Sequence, residues 1–70
     1  MRIIYGKSVY ETNEAWVEPY LIGWSLYFKV NGIKKMICLP ICLPNTTYEK
    51  EENVTKRFLE PLMENGFLKL

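Results

Sequence analysis

Residues 24–39 read WSLYFKVNGIKKMICL, and the Asn31-Gly32 pair at the centre decides how this chain folds. Both residues tolerate the positive φ of a two-residue type I′ turn, and the flanking runs are rich in β-branched and aromatic residues. A hairpin here fixes a register. Val30 faces Ile33, Phe28 faces Lys35, Leu26 faces Ile37, Trp24 faces Leu39 and, if the strands continue, Ile22 faces Ile41. Side chains alternate between faces along a strand. Ile22, Trp24, Leu26, Phe28, Val30, Ile33, Ile37, Leu39 and Ile41 therefore share one face, which predicts the core side. Lys35 is its misfit, near enough to the turn for its stem to reach water. The other face, from Leu21, Gly23, Ser25, Tyr27 and Lys29 across to Lys34, Met36, Cys38, Pro40 and Cys42, is mixed rather than polar.

Upstream, Ile3 to Tyr10 alternates weakly and predicts a first strand, with Gly6 a bulge. Glu11 to Glu14 forms its turn. Trp16 to Glu18 extends the second strand only if Pro19 lies at an edge or bend. Downstream of Pro44 the period changes. Thr46-Thr47-Tyr48-Glu49 fits a capping box. Val54, Phe58 and Leu62, with Leu59 and Met63 beside them, recur at helical spacing. Glu51 interrupts that stripe, so packing is expected from about Asn53 onward. Pro61 has no amide to bond Arg57 and predicts a kink or split. Asn65-Gly66 ends the helix, with Phe67 folding back on Leu62, and Phe67 to Leu70 form a short last strand or a docked tail. The expected fold is a small α+β domain: a three-stranded antiparallel meander packed against one C-terminal helix, β-β-β-α with a possible short final β.

The chain has 70 residues, 49% hydrophobic and 14% aromatic, which fits one ordered domain. A chain so short buries only about 60% of the surface it exposes when unfolded, so each apolar contact matters. The opening Met1-Arg2-Ile3-Ile4 reads as no signal peptide and no run approaches a membrane span, so a reducing cytoplasm is the expected compartment. The sequons at Asn45 and Asn53 are read as chance. The net charge of +1 supplies no bulk attraction to nucleic acid or an anionic membrane.

Cys38 and Cys42 are the only cysteines, in a doubled Ile-Cys-Leu-Pro. In an extended strand they stand about 13 Å apart, beyond the roughly 7 Å between Cα atoms that a disulfide spans. Two thiols without imidazole do not make a structural zinc site, and the spacing is not Cys-x-x-Cys. They read as small hydrophobes. The chain has no histidine, hence no usual proton shuttle or thiol base. No phosphate loop, nucleophile set or metal-ligand spacing occurs, and the carboxylates at Glu11, Glu14 and Glu18 sit in polar contexts. The expectation is a non-catalytic chain with no metal and no cofactor.

The run from Val54 through Gly66 to Leu68 resembles the last helix and wing entry of some winged-helix domains. The resemblance covers that run alone, the helices that precede it in such domains are absent, and no function is carried over.

One helix covers about one sheet face, which leaves Leu21, Tyr27 and Met36 on the other. An apolar patch of this kind marks a protein partner or self-association. Leu21, Tyr27, Lys29, Lys34 and Met36 are the expected partner-binding residues, with Tyr27 central and the lysines at the rim. The alternative is that the first strand, or the segment around Trp16, folds across this face and closes a small barrel. A regulator or inhibitor is the expected role, of a type that viruses and mobile elements often encode. The competing reading is a nucleic-acid-binding protein that lays the sheet or the hairpin lysines Lys29, Lys34 and Lys35 on a groove, but such domains usually carry a clear basic surplus.

Overall fold

A computed structural model describes residues 1–20, 23–39 and 51–70 of the chain. The Asn-Gly hairpin forms as its sequence dictates. Asn31 has φ 52° and Gly32 φ 80°, and β4 (Gly23–Val30) pairs with β5 (Ile33–Cys38) in the expected register, Leu26 opposite Ile37 and Phe28 opposite Lys35. Trp24 O accepts the Leu39 amide at 2.9 Å, carrying the register to the end of the described segment. With β3 (Ala15–Tyr20) on the other side of β4, these strands make an antiparallel sheet in the order β3-β4-β5. The α+β architecture of meander, helix and short final strand is thus observed. Ile22, Ile41, Pro40, Cys42 and the capping box at 46–49 lie outside the described residues.

Pro19 sits within β3, and the register explains why it fits. The Lys29 amide bonds Glu14 O at 3.3 Å, so alternate residues Trp16 and Glu18 bond inward to β4. Pro19 falls on the opposite phase, where its missing N–H faces away from β4.

The N-terminal segment differs from expectation. In place of one strand with a bulge, Arg2–Tyr5 (β1) and Ser8–Glu11 (β2) form a tight hairpin turned at Gly6, whose φ is 59°. Its weak alternation arises because two short strands meet at a residue that permits positive φ. Phe67–Lys69 (β6) adds in parallel on the far side of β1, completing a second three-stranded sheet in the order β2-β1-β6. Phe67 pairs with Arg2 and is half-exposed, so it is a strand residue rather than a buried helix cap, and β6 does not turn back as a wing.

The helix runs as α1 (Glu51–Val54), a π-helical stretch Thr55–Leu59 and α2 (Glu60–Asn65). The cause is Pro61. An α-helix would press its ring on the Arg57 carbonyl; here the turn widens and the Glu60 amide reaches back to Thr55 O, a π-bulge that splits α1 from α2. Gly66, with φ 80°, stops the helix and donates to Leu62 O at 2.9 Å.

Val54, Phe58, Leu59 and Leu62 from the helix meet Val17, Leu26, Phe28 and Ile37 from one sheet and Ile3 from the other in a single core. Each fully buried aliphatic or aromatic side chain contributes about 1.5–3 kcal/mol. Packing begins at Val54, as Glu51 foretold. Two expectations fail at the margins. Ile33 is 62% exposed and Met63 61% exposed, because the turn and the outer helix flank extend past the core. Thr12 lies in the expected turn between β2 and β3, and it is also a buried tie between the sheets. Its Oγ1 donates to Lys29 O at 2.7 Å and accepts from the Glu14 amide at 3.2 Å, while its backbone N–H bonds Met1 O at 2.9 Å. Tyr10 of β2 also meets Phe28, ring centroids 5.3 Å apart.

Candidate protein-binding face

The side of β3-β4-β5 turned away from the core is ordered in rungs across the strands. Glu14, Lys29 and Lys34 form a charged rung; Trp16, Tyr27 and Met36 form an apolar one; Glu18, Ser25 and Cys38 follow, then Tyr20 and Gly23. The sequence expectation places Tyr27, Lys29, Lys34 and Met36 together here, and the structure does so. Leu21 lies outside the described residues. The face does not close into a barrel under the first strand: Ile3 joins the core from the opposite side and Tyr10 packs on Phe28.

Trp16 is the residue that sequence reading missed. It pairs with Tyr27 across β3 and β4, and the two rings stack with centroids 5.8 Å apart and planes 14° from parallel. The signal was available: Trp16 has the parity of Tyr20 in a β-rich run, once Pro19 is accepted at an edge. Lys34 lays its ammonium over this pair, 4.5 Å from the Tyr27 centroid and 5.8 Å from Trp16. Such a cation-π contact is worth about 0.5–1 kcal/mol at an exposed site. The Trp16 indole N–H donates to the Glu18 carboxylate at 2.6 Å. A charge over the rings and another at the indole edge therefore orient the aromatic pair.

Tyr27 holds its phenolic proton more tightly than a free tyrosine. Burial among its neighbours is the main cause, followed by the Glu18 carboxylate, Tyr20 and Cys38. At neutral pH it presents a hydrogen-bond donor beside an apolar ring. Met36 is 41% exposed and Tyr20 40%. Lys29 is not a free rim charge, since Glu14 lies 3.8 Å from its ammonium. Ser25 is fully buried despite its place on this face, with its hydroxyl donating to Cys38 Sγ at 3.9 Å.

Cys38 is an exposed free thiol, and among the described residues no group of three or more His, Cys, Asp or Glu side chains is placed to hold a metal ion. No described helix is long and apolar enough to cross a membrane. A shallow hollow of about 510 Å³ beside the hairpin turn is lined by Glu11, Thr12, Glu14, Lys29 and Asn31; within it Glu14 pairs with Lys29 and the Thr12 hydroxyl bonds Lys29 O. A second exposed apolar group, Val9 with Phe67, lies on the outer side of β2-β1-β6 next to the Arg2–Glu11 ion pair.

Comparison of the chain with protein-family models, curated proteins and solved structures returns no match.

Proposed function

We propose that this chain is a small protein-binding module, a regulator or inhibitor that acts by contact rather than catalysis, and that the Trp16–Tyr27–Met36 rung is its contact surface. The observation that carries this reading is the stacked Trp16–Tyr27 pair on the sheet face away from the core. Interface energy concentrates in a few aromatic anchors ringed by weaker contacts, and aromatic residues and Met are enriched at interface centres. Rings already oriented by Lys34 and Glu18 lose little conformational freedom on binding.

A nucleic-acid reading has one observation in its favour, the Lys34 ammonium above two rings that could stack bases. Against it, Glu14 neutralises Lys29 and Glu18 places a carboxylate at the edge of the same platform.

Sizing over a range of concentrations separates self-association from a foreign partner. Affinity capture with wild type and Tyr27→Ala then tests the face. A specific protein retained by wild type and lost with the variant, with the variant still folded by circular dichroism at the capture temperature, supports the proposal. Retention on DNA or RNA that falls steeply with salt and with Lys34→Ala would replace it.

A further inference from the structure

The hydrogen-bond phase of the β3-β4-β5 sheet shows which β5 amides point away from β4. Leu39 donates inward to Trp24 O, so Ile33, Lys35 and Ile37 also bond β4, and Lys34, Met36 and Cys38 aim their N–H and C=O groups away from it. Among the described residues no strand pairs with that side of β5. These outward residues are also the ones whose side chains lie on the aromatic face. The opposite margin of the sheet is less suited to pairing, because Pro19 offers no N–H there.

Charge selects the occupant. Lys34 and Lys35 are adjacent and exposed on β5, and neither has a carboxylate within ion-pair distance among the described residues. Edge lysines oppose pairing with another basic edge, and two copies of β5 set with Lys34 and Lys35 facing their counterparts would bring four ammonium groups together. An acidic strand meets no such repulsion. We infer that β5 receives an extended acidic segment of a protein partner as an added strand, with two adjacent carboxylates opposite Lys34 and Lys35 and apolar residues opposite Met36 and Ile37. Backbone bonds would supply affinity and the side-chain pattern selectivity. The inference deepens the proposed binding function: the added strand extends the Tyr27–Met36 rung by one position.

Amide hydrogen exchange on the labelled protein tests this, with the acetylated, amidated hexapeptide TVVEET as probe and TVVKKT as control. In the free protein the amides of Lys34, Met36 and Cys38 should exchange readily while those of Lys35, Ile37 and Leu39 are protected; protection of the first set before any peptide is added overturns the inference. TVVEET at millimolar concentration should slow the first set, by about tenfold at 90% occupancy, where the free tenth of the protein sets the limit. TVVKKT should leave them unchanged. Slowing by neither peptide, or equally by both, also overturns it. The Trp16 and Tyr27 ring signals report separately on the face. Ring shifts without amide slowing remove the added strand and leave the contact face standing; amide slowing without ring shifts does the reverse.

Discussion

The Trp16 and Tyr27 rings stack across the β3–β4 pair, 5.8 Å between centroids, on a sheet whose other face holds the core. Offset aromatic pairs contribute about 0.5–1.5 kcal/mol beyond the area they bury. A double-mutant cycle of Trp16→Ala and Tyr27→Ala, read by urea denaturation, should return a coupling of about that size. Strictly additive losses would mean the rings do not touch in solution.

The raised ionisation of Tyr27 has a consequence at alkaline pH. The folded state holds the proton more tightly than the unfolded chain, so the unfolded state ionises first, near pH 10. The stabilisation is present in full below that pH and is lost as pH rises through the higher folded value. Wild type should therefore lose stability above about pH 10 more steeply than Tyr27→Phe. Parallel curves for the two proteins would contradict the assignment.

The hairpin could be read from sequence because Asn31-Gly32 sets both turn type and register, and a one-residue slip would have turned Leu26 and Phe28 to water. Leu26 is wholly buried and Phe28 nearly so, whereas Ile33, on the same face across the hairpin, is exposed at the turn. The pattern gives a face; how far the core extends along it depends on where the helix ends up. The N-terminal hairpin was hidden for a different reason. Gly6 reads equally as bulge or turn, and the choice is made by pairing with β6, at the far end of the chain. Trp16 was missed because Pro19 demotes a strand locally, while its permitted edge phase appears only once β4 is in place.

Core register predicts opposite outcomes at adjacent residues. Leu26→Ala should cost about 2–5 kcal/mol, a large share of the stability of so small a domain. Ser25→Ala removes a hydroxyl whose partner is a weak sulfur acceptor and should be close to neutral. Equal losses in chemical denaturation would show that the faces are assigned the wrong way round.

Thr12 joins the two sheets through its hydroxyl, which has little contact with water. Thr12→Val keeps the shape but leaves the Lys29 carbonyl and the Glu14 amide without this partner, at a cost of about 1–3 kcal/mol. Thr12→Ser keeps the hydroxyl and should lose less. A valine variant as stable as wild type would remove Thr12 from the tie between the sheets.

The contact face itself is tested most directly by a photoreactive phenylalanine analogue placed at Tyr27 in living cells, with the same group at Val9 as the control on the other sheet. Position 27 should give an ultraviolet-dependent covalent adduct to a specific protein, sensitive to protease and absent from position 9. Adducts only to nucleic acid, or equal protein adducts from both positions, would contradict it.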